Sequence, residues 1–166
     1  CPGRHVRRHR ETGIVSGPAT KGRSMALKST GRTHWEGNLF EGAGSASLDS
    51  GAAGPLQVTW KARAEEHGGL TSPEELIAAA HSSCYSMALS NILDKNGTPP
   101  TSLDVTATAT FVPGDGITTM ELSVSADVEG VTEEKFLELA GEAKDGCPVS
   151  QALAGNVEIS LEASLS

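Results

Sequence analysis

The sequence predicts an α+β domain in which antiparallel strands surround one long central helix. Three observations predict this class. Short alternating segments separated by Gly and Ser follow Met25, a long small-residue helix follows Pro73, and two alternating runs flank a Pro-Gly-Asp-Gly turn. The 166 residues are enough for one domain with its own core. Because only 4% of the residues are aromatic, that core must consist mainly of Ala, Val, Leu and Ile.

The first 24 residues differ in charge from the rest of the chain. They hold six Lys and Arg against one acidic residue, whereas the whole chain has a formal net charge of −8. They begin with Cys1, lack the apolar run of a secretory signal and precede the first Met, Met25. We therefore expect a disordered or non-native leader at 1–24 and the domain at 25–166.

Composition also limits the partners. An acidic chain is unsuited to nucleic acid as its main partner, because phosphate binding requires a basic surface. No stretch reaches the roughly 18 apolar residues of a membrane span, so we expect no membrane partner. Two cysteines remain after Cys1 is set aside. In an acidic chain without a signal they favour a reducing, cytoplasmic location, where paired cysteines are usually catalytic, redox-active or metal-binding.

Three short segments after Met25 predict a small antiparallel meander. They are Thr33–Phe40, Gly44–Leu48 and Leu56–Ala62, separated by Gly- and Ser-rich turns. The polar residues that follow, 65–70, predict a loop.

The clearest helix begins after this loop. Thr71 or Ser72 is a candidate N-cap, Pro73 suits the first helical position, and two glutamates in the first turn complement the helix dipole. Asn96-Gly97 predicts the end of the helix near Lys95. Its centre carries small side chains all round, so we expect it to be buried in the middle of the fold.

The remainder of the chain alternates strands with two shorter helices. The predicted elements are a hairpin of Leu103–Val112 and Ile117–Val128, a helix capped at Thr132 and ending near Lys144, a short helix from Cys147-Pro148 to Leu153, and a last strand at Val157–Leu165.

The two cysteines lie in different local settings. Cys84 is in the middle of the central helix, where an inert buried thiol is the simplest interpretation. Cys147 precedes Pro148 at a helix start, where the positive end of the helix dipole favours a thiolate, although an ordinary N-cap explains it equally well. Local position alone therefore makes Cys147 the better nucleophile. The sequence does not show whether the two thiols meet.

Other polar residues offer weaker candidates for chemistry. Arg63 ends a predicted strand and is one of seven basic residues after Met25. His81 and Cys84 together with Cys147 lack a fourth metal ligand at conventional spacing, so we expect no metal site. A cysteine hydrolase that pairs either thiol with His67 lacks any oxyanion-hole signature.

Two long motifs resemble a known family. Residues 73–90, PEELIAAAHSSCYSMALS, resemble the central helix of the OsmC/Ohr family of osmotically inducible and organic hydroperoxide resistance proteins, and its OsmC branch in particular. Residues 143–150, AKDGCPVS, look like the second cysteine motif of that family. Trp35–Leu39 and the Gly-rich hairpin after it are also similar, and the resemblance extends from Met25 to the C-terminus.

The resemblance implies roles for four residues. Cys84 matches the peroxidatic cysteine, Cys147 the resolving cysteine, Glu74 the family glutamate and Arg63 the family arginine, although the segment from Arg63 to Glu74 is about one residue longer than usual. It implies a homodimer that reduces organic hydroperoxides, and hydrogen peroxide more weakly, in oxidative and osmotic stress defence. It also implies an external dithiol as the reductant and no cofactor.

The spacing of Glu74 and Cys84 constrains this site. Ten residues along one helix correspond to about 15 Å, so Glu74 cannot touch its own Cys84. Either an arginine spans part of the gap or a partner subunit supplies Arg63 or Glu74. Two other functions stay open at this point: a cysteine-dependent hydrolase or acyltransferase, and a non-enzymatic dimeric binding protein with two inert thiols.

Overall fold

The computed structural model describes residues 26–166, so the predicted leader at 1–24 and its boundary at Met25 lie outside the described part. The elements, in chain order, are β1 (Gly31–Glu36), β2 (Ala43–Leu48), β3 (Leu56–Thr59), α1 (Trp60–Ala64), α2 (Pro73–Lys95), β4 (Ser102–Val112), β5 (Gly116–Asp127), α3 (Glu133–Gly146), α4 (Pro148–Leu153) and β6 (Glu158–Leu165). The fold class is α+β, as predicted. The strands form two separate three-stranded sheets.

The N-terminal sheet is the predicted antiparallel meander, in the order β1-β2-β3. Its first strand, predicted to run to Phe40, ends at Glu36 because Asn38 starts a turn whose amides it binds. All six residues of β1 are exposed, and Gly44 is the buried residue of β2. A Cβ atom at Gly44 would lie 2.7 Å from the Trp35 ring and 2.9 Å from Val58 Cγ2. Glycine at this position lets the Trp35 ring lie across the sheet.

The prediction that the third strand continues to Ala62 was wrong. The strand ends at Thr59, whose side chain accepts a hydrogen bond of 3.1 Å from the Ala62 amide and caps the one-turn helix α1. Threonine at an N-cap satisfies an amide that a strand would have to pair elsewhere. Arg63 therefore lies on a helix instead of at the end of a strand.

The central helix α2 has the bounds that its capping residues predicted. The Ser72 hydroxyl accepts from the Glu75 amide, Pro73 occupies the first turn, and the helix ends at Lys95. One face is buried, and it carries Glu74, His81, Tyr85, Leu89 and Leu93. The opposite face of this helix is open to solvent, with Met87 67% exposed, so within this chain the expected burial of the helix holds for one face only.

The C-terminal sheet has the order β4-β5-β6. Strands β4 and β5 form the predicted hairpin, with a register shift at Thr110/Phe111. Strand β6 pairs with β5 in parallel, so the expectation of antiparallel strands fails for this one pairing. The reason is the connection: α3 and α4 carry the chain back across the sheet, and a crossover of this kind produces a parallel neighbour.

The hydrophobic core lies between this second sheet and the helices α2 and α3. Every second residue of β5 from Met120 to Ala126 is buried, which is the alternation expected of a strand with one face on a core. From the helices, the fully buried Leu89, Leu93 and Phe136 pack against that face. The core positions the start of α4 beside the middle of α2.

Candidate active site

The structure places Cys84 and Cys147 side by side, although 63 residues separate them in sequence. Cys84 lies near the middle of α2 and is half-buried, whereas Cys147 is the N-cap of α4 and is fully buried. Both are free thiols, and each is among the neighbouring groups that shift the pKa of the other.

The surroundings of Cys147 favour its thiolate. Burial raises the pKa of Cys147, but the polar groups near its sulfur, namely the amides of Ser150 and Val149, the Ser150 hydroxyl and the Cys84 thiol, together lower it by more. The net pKa of Cys147 is therefore below its ordinary value. The local position of Cys147 at a helix start had predicted this direction.

The pKa of Cys84 shifts in the opposite direction, above its ordinary value. Burial raises its pKa, the Val149 amide lowers it in part, and the neighbouring Cys147 raises it again. No cation is among the groups that shift the Cys84 pKa within residues 26–166. The middle of a helix offers no free amide to a thiolate, so a Cys84 thiolate requires a positive charge from elsewhere.

A buried polar pair lies beside the thiols. His81 is on the turn of α2 that precedes Cys84, and its Nε2 atom lies 2.8 Å from the Ser150 hydroxyl oxygen. His81 is 0% exposed, and burial lowers its pKa, so the imidazole is neutral near pH 7. Its Nδ1 atom has no hydrogen-bond partner in the described part of the chain.

Tyr85 fixes α2 against α3. The ring is fully buried, and its hydroxyl donates a hydrogen bond of 3.1 Å to the Ala140 carbonyl oxygen. Burial raises the pKa of Tyr85 strongly, and the nearby Cys147 adds to the effect. The phenol therefore stays protonated and serves as a fixed donor that sets the position of the two helices.

Arg63 and Glu74 form a second pair in the same chain. Arg63 Nε and Nη2 donate to Glu74 Oε1 over 3.0 Å and 2.8 Å. The Glu74 side chain is 6% exposed and the Arg63 side chain 33%. The other carboxylate oxygen, Oε2, is buried and has no partner within residues 26–166. The carboxylate thus holds one edge of the guanidinium and leaves Nη1 outside the pair.

An aromatic cluster lies on one side of this arginine, and its Phe111 ring contacts the guanidinium. The Arg63 guanidinium carbon lies 4.1 Å from the centre of the Phe111 ring, an arrangement that favours a cation. Trp60 packs edge-on against Phe111 at 6.2 Å and against Phe40 at 5.9 Å. Phe40 is 74% exposed, so the apolar side of this cluster faces outward.

Comparison with known proteins identifies the family. The family model described as OsmC-like protein matches residues 66–162. The chain is 40% identical over 138 residues to the peroxiredoxin OsmC of Escherichia coli, a match that covers 81% of this chain and 96% of the relative. The chain belongs to the OsmC-like family.

Further relatives and solved structures agree with this assignment. An organic hydroperoxide resistance protein-like 2 of Staphylococcus epidermidis is 32% identical over 112 residues, which cover 63% of this chain and 75% of that relative. An organic hydroperoxide resistance protein of Elizabethkingia anophelis superimposes with a TM-score of 0.62 at 26% identity, covering 86% of this chain and 100% of the other. The OsmC protein of Legionella pneumophila, at 22% identity, shares the fold with a TM-score of 0.63 and covers 84% and 98% of the two chains.

Among the four residues predicted for this OsmC-like site, the structure brings together two pairs. Cys84 meets Cys147, and Arg63 meets Glu74, but the arginine is not among the groups that act on Cys84 in its own chain. No cluster of three His, Cys, Asp or Glu side chains with metal-ligand geometry occurs within residues 26–166. No helix in the same part of the chain is long and apolar enough to cross a membrane.

Sequence reasoning missed two features of the site. The first is the contact of His81 with Ser150, because the sequence placed each residue in a separate motif without linking them. The second is the aromatic cluster of Phe40, Trp60 and Phe111, which contacts Arg63 through Phe111. A signal for it existed: the chain has only six aromatic residues, so three of them in one place mark a dedicated surface.

Proposed function

We propose that this protein is a thiol-dependent peroxidase that reduces organic hydroperoxides, and hydrogen peroxide more weakly, in oxidative and osmotic stress defence. The observation that carries the proposal is the contact of Cys84 with Cys147 across 63 residues of sequence. A buried pair of free thiols is suited to a two-electron cycle between dithiol and disulfide. The names of the relatives, peroxiredoxin and organic hydroperoxide resistance protein, support the same chemistry.

The cycle has three balanced steps. The Cys84 thiolate attacks one peroxide oxygen, the O–O bond breaks, and an alkoxide leaves and is protonated to the alcohol, which leaves a sulfenic acid on Cys84. The Cys147 thiolate then attacks the Cys84 sulfur, an S–S bond forms, and hydroxide leaves and is protonated to water. An external dithiol reduces the disulfide by thiol exchange and is itself oxidised.

Arg63 is our candidate for the missing cation at Cys84. Peroxide cleavage requires a thiolate, and burial together with Cys147 raises the Cys84 pKa in the single chain. The free edge of the Arg63 guanidinium can face a thiolate while Glu74 holds the other edge. Because Glu74 starts the same helix about 15 Å from Cys84, we place the Arg63–Glu74 pair at the Cys84 of a partner subunit.

A homodimer is therefore part of the proposal. The open face of α2, with Met87 67% exposed, and the exposed strand β1 are two surfaces that a second copy of the chain would cover. Phe40 at 74% exposure and Leu39 at 50% add apolar side chains to the second surface. Symmetric pairing of identical chains is the commonest way to bury such surfaces.

The aromatic cluster favours an organic substrate. If Arg63 faces the thiol of the partner subunit, the rings of Phe40, Trp60 and Phe111 surround the same site. Apolar rings stabilise the alkyl group of a hydroperoxide by excluding water, whereas hydrogen peroxide gains nothing from them. We further propose a cytoplasmic location, since a reducing compartment keeps both thiols available.

The competing functions have less support. A cysteine hydrolase requires a histidine beside its nucleophile, but His81 Nε2 contacts Ser150, and His67 is exposed in its loop. A binding protein with inert thiols gives no reason for a buried cysteine whose polar surroundings lower its pKa.

A thiol count tests the proposal. Cys1→Ser is introduced first, so that Cys84 and Cys147 are the two thiols counted. One equivalent of an alkyl hydroperoxide should remove both free thiols and yield one disulfide. Cys84→Ser should abolish peroxide consumption, and Cys147→Ser should stop at a Cys84 sulfenic acid after one turnover with a dithiol that cannot reach it.

Two outcomes would overturn the proposal in different ways. If both thiols survive the hydroperoxide, the peroxidase assignment fails. If Cys84→Ser still forms a sulfenic acid while Cys147→Ser is inert, the roles of the two cysteines are reversed.

A further inference from the structure

A short helix begins at the buried thiol and is joined to the central helix by a buried polar pair. Helix α4 has six residues, and Ser150 is the buried residue among them. The Ser150 hydroxyl oxygen lies 2.8 Å from His81 Nε2 on α2, and the two residues are 5% and 0% exposed. A helix of this length is not stable by itself, so the position of α4 depends on its contacts with the rest of the chain.

The polar pair lies one helical turn from the two thiols. On α2, His81 precedes Cys84 by three residues, and at the start of α4, Ser150 follows Cys147 by three. The Gln151 amide donates to the Cys147 carbonyl oxygen, so Cys147 belongs to the first turn of α4. Residues three apart lie on one face of a helix, and Cys84 packs against the core cluster that contains Cys147. The contact of His81 with Ser150 therefore keeps the two helices in the register that places the thiols opposite each other.

The hydrogen bond favours the docked position of α4 over an open one. Burial lowers the pKa of His81, so the imidazole is neutral near pH 7, and its Nδ1 atom has no partner within residues 26–166. The ring is hydrogen-bonded there through Nε2, to Ser150. If this bond were lost while α4 stayed docked, both ring nitrogens would be buried and unpaired, and water would reach them only when α4 lifts away.

We propose that His81 and Ser150 form a latch that docks α4 on α2 and closes Cys147 to reagents in solvent. Cys147 is 0% exposed, so an external molecule reaches its sulfur only after the start of α4 moves. Both latch residues are positioning residues, and neither exchanges a proton or electrons in the cycle. The use of the latch rests on the proposed function, in which Cys147 must stay reduced until Cys84 carries a sulfenic acid. The latch itself is a property of the reduced protein.

Removal of the latch should make Cys147 more reactive towards external reagents. A buried thiol reacts in proportion to the fraction of molecules in which its helix is open. Loss of the hydrogen-bond partner of a buried group should raise that fraction about tenfold. Because a tenfold rise in a small open population barely lowers the docked one, disulfide formation should slow by less than about twofold. Alkylation of Cys147 is therefore the sharper measurement.

The full chain with Cys1→Ser and Cys84→Ser leaves Cys147 as the one cysteine. Its alkylation by iodoacetamide is measured against pH. The limiting rate at high pH gives the reactivity of the thiolate, which is independent of any change in the Cys147 pKa. The variants are Ser150→Ala, Ser150→Thr, His81→Leu, His81→Gln and the double variant Ser150→Ala with His81→Leu.

Gln151 provides the matched control, because it is the next residue of the same helix. Its Nε2 atom donates to the Asp145 carbonyl oxygen over 3.0 Å, but this bond is exposed and joins α4 to α3 instead of α2. Gln151→Ala thus removes a side-chain hydrogen bond of α4 without touching the latch.

The latch predicts a specific pattern in the limiting rate. Ser150→Ala and His81→Leu should each raise it about tenfold, because each leaves one buried partner unpaired. Ser150→Thr, which keeps the hydroxyl, and His81→Gln, which keeps a donor, should restore most of the protection. The double variant removes both partners, so its increase should be no larger than that of either single variant. Gln151→Ala should leave the rate unchanged.

Urea below the unfolding transition separates opening of α4 from a loss of global stability. Opening of one short helix exposes little surface, so alkylation through it should depend weakly on urea, whereas alkylation through global unfolding rises steeply. The latch is overturned by a steep urea dependence in Ser150→Ala, by an unchanged rate in Ser150→Ala and His81→Leu, or by an equal increase in Gln151→Ala.

The measurement contains no peroxide, so its result is independent of the thiol count. A latch found in a protein that fails the thiol count would refute the peroxidase and leave the latch in place. A missing latch in a protein that passes the thiol count would refute the latch and leave the peroxidase in place.

Discussion

The two sheets of this protein differ in how much of their surface the chain itself covers. The C-terminal sheet, β4-β5-β6, buries one face under α2 and α3, and residues such as Leu122 and Val124 are 1% exposed. The N-terminal sheet, β1-β2-β3, has one strand exposed throughout and buries Gly44 alone among its strand residues. Both sheets have three strands, so strand number does not explain the difference.

The difference shows which part of the molecule is complete in one chain. The C-terminal half encloses its core and, at the edge of that core, the cysteine pair. The N-terminal half ends in α1 with Arg63, which reaches Glu74 but not Cys84. Ordering the strands of this sheet costs conformational entropy. The apolar surface that the sheet buries within one chain is too small for its hydrophobic stabilisation to offset that cost. We infer that the uncovered half acquires its packing, and its role at a thiol, from a second copy.

The largest expected effect is the rescue of activity in a mixed dimer. Cys84→Ser and Arg63→Ala chains should each be inactive alone. Refolded together, they should recover at most about half of wild-type activity per heterodimer, because a symmetric dimer then contains one site with both defects and one with neither. Peroxide consumption by the isolated heterodimer measures this.

A second arginine provides the control for this test. Arg32 lies on β1 and pairs with Asp49, with its side chain 70% exposed. Arg32→Ala removes the same charge from the same half and should keep activity by itself. If the Cys84→Ser and Arg63→Ala mixture stays inactive, the arginine acts within its own chain. A monomer at micromolar concentration in sedimentation would refute the dimer.

Two phenylalanines test the difference in packing directly. Phe136 is 0% exposed in the core and Phe40 is 74% exposed near the N-terminal sheet. Phe136→Ala should lower the free energy of unfolding by about 3–5 kcal/mol through the cavity it leaves. Phe40→Ala should lower the free energy of unfolding of the single chain by only about 0.5–1.5 kcal/mol, through loss of its edge contact with Trp60. Its main effect should be weaker dimerisation.

Urea unfolding at several protein concentrations separates these effects, since a dimer contact makes the unfolding midpoint depend on concentration. If the two variants lose the same free energy of unfolding at every protein concentration, the N-terminal half is already fully packed within one chain.

The smallest effect is expected at the surface ion pair of β1. Arg32 donates to both carboxylate oxygens of Asp49 over 2.8 Å, but the two side chains are 70% and 37% exposed. Exposed pairs contribute little after solvent screening, so Arg32→Ala should change the free energy of unfolding by less than about 1 kcal/mol. A loss of several kcal/mol in thermal unfolding would indicate that a partner buries this pair.

The elements set by local chemistry were predictable from sequence. Ser72, Pro73 and Asn96-Gly97 bound α2, and the hairpin of β4 and β5 has its turn at the predicted residues. The third strand was predicted too long, because the N-cap at Thr59 starts a helix that alternation alone does not reveal. The parallel pairing of β6 was missed, since strand direction depends on the crossover and not on the strand's own residues.

The family of the protein, its fold class and the identity of its candidate residues follow from the sequence alone, because caps, turns and the two cysteine motifs are short-range patterns. The tertiary structure alone decides which residues meet. It brings Cys84 to Cys147, pairs Arg63 with Glu74 of the same chain, and joins His81 to Ser150. These contacts span 11 to 69 positions of the chain. They depend on how α2 packs against the helices and sheet around it, which no local pattern of residues encodes.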